Sequence, residues 1–277
     1  MGTTGTRAHA SGARAMPWNG AGPAGMLAAA GCMLAAASTA TAGMVAGSGP
    51  GGLRITELRV DQQGSDTDEY FEIQGTAGAS LAGCWLLAIG DSGTDPGGVV
   101  EAAINLSTWN LGANGRFVGH ESTFGQTLFG GRALTFHPEC AHAVVGTGDA
   151  INFENSDTVT YLLVRGFTGS LGADLDAGND GTFDTTPWAE LLDGVAFVRT
   201  NSTDPVYCDA RVGPVKLTAT GGMPPHAWLS EGGWVVGEYG SWDADTPGGG
   251  PAVPAPGAAA TLAVAAAASG RRRRRAG

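Results

Sequence analysis

A run of acidic residues in the second half of the chain has the spacing of a cation-binding loop. The candidate ligands are Asp174, Asp176, Asp180, Thr182 and Asp184. Counted from Asp176, side-chain oxygens stand at positions 1, 5 and 9, with glycine at position 6 and the Thr182 carbonyl at position 7, as in an EF-hand loop. Carboxylates so close together repel one another unless a cation offsets their charge. The spacing therefore predicts bound calcium.

The same run departs from the EF-hand pattern in two places. Position 3 is Gly178, which has no side chain, and position 12 is Pro187 instead of glutamate. Asp, Asn and Gly also form turns without any metal. A solvated acidic turn is therefore the alternative interpretation.

Residues with catalytic potential show no recognisable enzyme pattern. The chain has no G-x-S-x-G elbow, no H-E-x-x-H pair and no P-loop. Residues 137–142 combine histidine, carboxylate and thiol donors that suit a transition metal, with a disulfide-anchored loop as the alternative. We expect no catalytic residues, although paired carboxylates for glycoside hydrolysis stay open because their separation in space is invisible in sequence.

The charge of the chain argues against nucleic acid as a partner. Seven of its 15 Lys and Arg residues are Arg7, Arg14 and the run Arg271, Arg272, Arg273, Arg274 and Arg275. The part between them carries the remaining 8 against all 26 acidic residues. A surface this acidic repels phosphate backbones.

Both ends of the chain resemble targeting signals. Residues 1–42 combine a basic start, a short apolar run at 25–37 and the small residues Ala40-Thr41-Ala42, which predict a signal peptide cleaved after Ala42. Residues 43–52 form a Gly-rich linker. At the other end, residues 251–277 contain a Pro-rich hinge, a short apolar helix and the five arginines.

This C-terminal layout resembles the PEP-CTERM sorting signal of bacterial exported proteins. The motif is Val253-Pro254-Ala255-Pro256, with Ala255 where glutamate is usual. The apolar stretch at 258–269 is about 18 Å long as a helix, too short to be a permanent anchor. The resemblance implies export machinery and an exosortase-type sorting enzyme as partners. It also implies a transient inner-membrane anchor and a final place in the envelope, at the cell surface or outside the cell.

An exported protein can hold disulfides, and three cysteines follow residue 42. Cys84 lies in an apolar run and fits a buried thiol. Cys140 and Cys208 are the remaining candidate pair, although sequence alone does not fix the connectivity.

The region between the signals predicts short β-strands. Glycine makes up 47 of 277 residues, which disfavours long helices and suits many turns. Apolar runs and alternating patterns predict strands over residues 53–60, 69–73, 80–90, 99–106, 116–118, 133–136, 149–153, 158–165, 191–199 and 234–239. Many short strands with Gly, Pro and Asp between them indicate an all-β sandwich.

Several motifs in this region resemble those of lamin-tail domains in bacterial exported proteins. They are Ile55-Thr56-Glu57-Leu58, the acidic strand Glu69-Tyr70-Phe71-Glu72-Ile73, Ser80-Leu81-Ala82-Gly83-Cys84-Trp85, and a closing Trp242 with Asp245-Thr246-Pro247-Gly248. The resemblance spans residues 53–250. It implies an immunoglobulin-like β-sandwich with loop insertions.

The resemblance implies a binding or structural role rather than catalysis. We therefore expect an adhesive or structural protein of the envelope or extracellular matrix, with calcium as a stabilising ion. Its ligand would be an extracellular polysaccharide or a protein. The alternatives are a secreted hydrolase and a carbohydrate-binding module that act on polysaccharide, the latter marked by an exposed row of tryptophans.

Overall fold

Eleven β-strands make up the regular structure of the described residues, which are 52–92, 97–145, 151, 153, 156–199, 202–214 and 222–250 of a computed structural model. They are β1 (Arg54–Arg59), β2 (Tyr70–Gln74), β3 (Cys84–Gly90), β4 (Val99–Asn105), β5 (Arg116–His120), β6 (Ala141–Val144), β7 (Val159–Arg165), β8 (Glu190–Phe197), β9 (Arg211–Val212), β10 (His226–Ser230) and β11 (Gly233–Val236). These ranges contain no α-helix, and so no helix that is long and apolar enough to span a membrane.

The strands form two mixed sheets. The six-stranded sheet has the order β11-β10-β1-β2-β5-β6, and the five-stranded sheet has the order β4-β3-β7-β8-β9. Neighbouring strands are antiparallel except for β5 with β6 and β8 with β9, which are parallel. The all-β class predicted from sequence is therefore confirmed, in the form of a β-sandwich.

The main hydrophobic core lies between the sheets. Strand side chains alternate between faces, so Leu86 and Tyr161 point into this core while their neighbours Leu87 and Leu162 point outward. The six-stranded sheet contributes residues such as Phe71, which is fully buried. Burying each large apolar side chain contributes about 1.5–3 kcal/mol.

Loops cover the outer face of each sheet as well. Phe167, Leu175 and Tyr207 pack on the outward residues of the five-stranded sheet. Leu134 and Trp242 pack with Tyr70 and other residues of the six-stranded sheet. Both outer faces are thus partly buried, which explains the largely apolar sequence of β3 and β7.

A β-bulge in β1 interrupts the alternation where the chain enters the six-stranded sheet. The pairing with β2 shifts between Ile55 and Glu57, so Ile55 and Leu58, three residues apart, both face the core. Because of the extra residue, the side chains of both Thr56 and Glu57 lie on the outer face of the sheet, where each forms a hydrogen bond. The Ile55 N–H donates to Asp193 of β8, 2.8 Å away, and links the two sheets.

Most of the predicted strands are found within a few residues of their expected bounds, but some predictions were wrong. Residues 133–136 form no strand, because Leu134 and Phe136 cover the outer face of the six-stranded sheet instead of pairing. The stretch 149–153 is described only at Ile151 and Phe153, both buried in the core. Strands β6, β9 and β10 were not predicted.

Candidate functional site

Charged side chains occupy the outer face of the six-stranded sheet, where solvent would be expected. Those from the strands are Glu57, Arg59, Glu72 and Arg116; the imidazole of His226 lies beside them, and none of the five residues is more than 3% exposed. Residues 237–250, which we call the closing segment, run across them. Charges withdrawn from water in this way need partners, because unpaired burial is very costly.

Glu57 lies at the centre of this buried group. Its Oε1 accepts hydrogen bonds from the Tyr70 hydroxyl (2.6 Å), the Thr246 N–H (2.8 Å) and His226 Nε2 (2.9 Å). Its Oε2 accepts from the Thr246 hydroxyl at 3.0 Å. One carboxylate thus joins β1 to β2, to β10 and to the closing segment.

Arg59 forms the second connection to the closing segment. Its guanidinium forms a two-pronged ion pair with Asp245, with Nε 2.5 Å from Oδ1, and both side chains are fully buried. Asp245 also accepts from the Tyr70 hydroxyl at 3.0 Å. The guanidinium carbon lies 4.6 Å from the centre of the Trp242 ring, a cation–π contact that fixes its plane.

Glu72 makes the third connection. It accepts hydrogen bonds from the Thr56 hydroxyl, from Arg116 and, at 2.8 Å, from the Gly248 N–H. Gly248 has φ = +79°, and a Cβ there would overlap the Cys140 side chain, so only glycine fits this turn. Glu69, directly before β2, points to the opposite face, where its carboxylate accepts a hydrogen bond from the Phe153 N–H.

Together these contacts form a clamp that holds the closing segment to β1 and β2. Glu57, His226 and Asp245 bring ligand atoms within 4.8 Å of one another, a spacing that a metal could use. Each carboxylate already accepts from several donors of the protein, and Asp245 is paired with Arg59. The arrangement suits fastening of the chain rather than chemistry on an external molecule.

Burial changes the acidity of groups in and beside the clamp. Desolvation and the neighbouring Glu57 raise the pKa of Glu72 to about 7, against the opposing effect of Arg116. Desolvation, followed by repulsion from Asp66, raises the pKa of Asp61 to about 7. Burial raises the pKa of Tyr70 well above its ordinary value, so its hydroxyl stays a hydrogen-bond donor.

The predicted calcium loop lies over the outer face of the five-stranded sheet, and internal hydrogen bonds hold it. Asp176 is fully buried, and it accepts from the N–H groups of Asp180 and Gly181 and from the Tyr207 hydroxyl. Asp174, Asp180 and Asp184 each accept from a backbone N–H of the loop, and the Asp180 bond comes from Thr182. Calcium binding stays a prediction.

A different acidic group lies near one end of the five-stranded sheet. Asp91, Glu101 and Asp157 place carboxylate oxygens within 4.8 Å of one another. A Cβ at Gly90 would overlap the Glu101 carboxylate, so this glycine leaves the room that the carboxylate occupies. Sequence analysis did not predict this group, because its members come from three separate stretches of chain.

The predicted disulfide between Cys140 and Cys208 is not formed. Cys84, Cys140 and Cys208 are all free thiols. Cys140 lies beneath Gly248 on the outer face of the six-stranded sheet, whereas Cys208 bonds to the Ala210 carbonyl next to β9 in the other sheet. The two residues are thus held by different sheets. Cys84 is buried, as expected.

The sequence motifs and the clamp overlap in part. Glu57, Glu72 and Asp245 belong to stretches that sequence analysis singled out, whereas Arg59, Arg116 and His226 were missed. A charged residue in an alternating strand is typical of a solvent-facing side, so the pattern gave no sign of burial. The cleavage site at Ala42 and the sorting motif of Val253, Pro254, Pro256 and the five arginines lie outside the described residues.

Compared with protein-family models, with curated proteins and with solved structures, the chain matches none.

We predict that Asp245→Asn destabilises the protein by about 3–5 kcal/mol, because it leaves Arg59 buried without its counter-charge. Asp243→Asn is the matched control, since Asp243 is exposed two residues away, and its effect should stay within about 0.5 kcal/mol. Urea unfolding of both variants measures the difference. Equal stabilities would contradict the assignment of Asp245 to a clamp.

We also predict that the protein loses stability as pH rises from about 4 towards 7 through the effect of Asp61. Its pKa in the folded state, about 7, exceeds the ordinary value of 3.8, so the folded state binds more protons in this range. Asp61→Asn should make the curve of unfolding free energy against pH shallower there, with the contribution of Glu72 retained, and Asp243→Asn should leave the slope unchanged. A wild-type slope retained in Asp61→Asn would refute the role of Asp61.

Proposed function

We propose that this protein is an exported, non-enzymatic scaffold of the cell envelope or extracellular matrix, with an adhesive or structural role. The observation that carries the proposal is the clamp. Its carboxylates, histidine and tyrosine are residue types that enzymes use as acids, bases and nucleophiles. They are buried and bonded within the fold, whereas an active site needs reactive groups that face a cleft open to substrate.

The relation to lamin-tail domains is part of this proposal. The motifs that carry the resemblance come from the two ends of the domain, and the clamp joins three of them. Glu57 of the first motif bonds to Thr246 of the last, and Glu72 of the second bonds to Gly248. These contacts give the motifs a shared role, the closure of the sandwich. The immunoglobulin-like type of the sandwich is part of the same proposal.

The proposed route to the cell surface uses the two ends of the chain. A signal peptide cleaved after Ala42 would start export, and residues 251–277 would hold the protein at the inner membrane until an exosortase-type enzyme acts. The last contact of the clamp is made by Gly248, three residues before this tail. The closing segment, which leads into the tail, is thus fastened to β1 and β2. This arrangement suits a domain that is held at the membrane by its C-terminal end.

The sorting proposal is tested by the fate of the tail. The full chain, with an epitope after Gly277, is expressed in a bacterium that has an exosortase-type enzyme and in the same strain without it. We expect loss of the epitope and appearance of the protein outside the cell only when the enzyme is present. Pro254→Ala with Pro256→Ala should block processing, and Pro251→Ala, outside the motif, should not. The same distribution in both strains would refute the proposal.

Calcium is proposed as the stabilising ion of the acidic loop. Calcium that binds only the folded state raises its stability by mass action, by about 2.7 kcal/mol at a hundredfold excess over the dissociation constant. We expect the unfolding temperature of the full chain to be higher with calcium than with a chelator. Asp180→Ala should abolish this difference. Asp91→Asn is the control, because it alters the other acidic group. If Asp91→Asn abolishes the difference and Asp180→Ala does not, calcium binds at the other acidic group and not at the loop. If the wild type shows no difference, the calcium proposal is refuted.

Carbohydrate binding and polysaccharide hydrolysis remain alternative functions without a supporting observation of their own. A sugar-binding face would present a row of exposed tryptophans. In the described residues, Trp85, Trp109, Trp188, Trp228, Trp234 and Trp242 are half-buried or buried. Trp109, for example, stacks on Phe117 with ring centres 5.3 Å apart.

A further inference from the structure

Two histidines face each other on neighbouring strands, away from the clamp. His120 ends β5 and His142 lies in β6, which pairs with β5 in parallel register. Nε2 of His120 and Nδ1 of His142 are 3.4 Å apart. Of the donors in residues 137–142, only His142 belongs to this pair, because its neighbour His120 comes from another strand.

The structure fixes the tautomer of His120. Its Nδ1 lies 2.7 Å from the backbone carbonyl oxygen of Glu121. A carbonyl oxygen only accepts, so Nδ1 carries the hydrogen and Nε2 of the neutral ring presents its lone pair towards His142. A histidine that ligates a metal is oriented in this way, by a hydrogen bond from its other ring nitrogen.

Aromatic packing fixes both imidazole rings. The ring of Phe136 stacks on His142 with centres 4.1 Å apart and an angle of 17° between the planes. The ring centre of the same phenylalanine lies 4.6 Å from that of His120. Phe124 packs against both Phe136 and His120. Neither imidazole needs to be ordered when an ion binds, which lowers the entropic cost of binding.

The pair is reachable from solvent on one side. His120 is 7% exposed, whereas His142 is exposed on the edge strand of the sheet. Burial, with the proximity of His142, lowers the pKa of His120, so its ring is neutral at pH 7. A neutral imidazole is the form that binds a metal.

We propose that His120 and His142 form a binding site for a divalent transition-metal ion of the zinc type. Two nitrogens at about 2.0–2.1 Å from a tetrahedral zinc ion lie roughly 3.4 Å apart, the spacing of this pair. Imidazole is a preferred ligand of zinc, copper and nickel, whereas calcium and magnesium prefer oxygen. Water or a donor from a bound molecule would complete the coordination.

A plain hydrogen bond between the two rings is the competing account. At 3.4 Å the nitrogen–nitrogen distance is longer than the usual 2.7–3.2 Å range for N–H donors. His137 provides a matched comparison, because it is exposed on the preceding loop and its Nδ1 already accepts from the Glu139 N–H at 3.3 Å.

The test measures the zinc affinity of the full chain, prepared without a histidine tag, by competition with a chromophoric chelator. We expect one zinc ion per chain at this pair, with affinity reduced at least about tenfold in His142→Gln and unchanged in His137→Gln. Circular dichroism checks that His142→Gln, at an exposed position, is folded. No zinc binding by the wild type, or equal affinity in His142→Gln, would overturn the proposal.

Copper(II) provides a second readout that a structural role would not change. Electron paramagnetic resonance of the wild type with one equivalent of copper should show hyperfine coupling to two imidazole nitrogens, and His142→Gln should show one. Calcium in excess should not displace the ion. An unchanged spectrum in His142→Gln, or displacement by calcium, would assign the metal to other residues.

Discussion

The pairing of Arg59 with Asp245 is the constraint on which the rest of the structure depends. Both groups are fully buried, and neither could be withdrawn from water alone, because isolated buried charges cost several kcal/mol each. The closing segment must therefore dock on β1 for either charge to be accommodated. Glu57 and Glu72 impose the same condition through Thr246 and Gly248, so the first and last stretches of the described fold depend on each other for their burial.

This constraint explains why the outer face of the six-stranded sheet carries charge yet excludes water. The bulge in β1 keeps Ile55 and Leu58 in the core while it directs Thr56 and Glu57 to the clamp. Loops complete the cover, as they do on the other sheet. Strand β6 lies at the edge of the six-stranded sheet. His142 is exposed to solvent there, away from the closing segment that buries the charged groups.

Sequence patterns predicted the strands better than the contacts between residues that are far apart in the chain. Periodicity located β3 and β7, because their apolar runs are long, but it missed β10, where His226 sits in a short run. Glu57 and Glu72 were visible as motif residues, whereas Arg59 looked like a solvent-facing residue of an alternating strand. Burial of such a residue depends on the closing segment, almost 190 positions away in the chain, and single-sequence patterns do not carry pairings of that range. The Cys140–Cys208 prediction failed for the same reason, since the sheet that holds each cysteine is a property of the whole fold.

Native-state hydrogen exchange at the amides of Thr246 and Gly248 tests the central claim most directly. These N–H groups donate to Glu57 and Glu72, so they open only if the clamp opens. If the fold depends on the clamp, both amides should exchange with the free energy of global unfolding and with its dependence on denaturant. Fast exchange that is independent of denaturant, while amides of β3 and β7 stay protected, would show that the closing segment detaches by itself and would contradict the account.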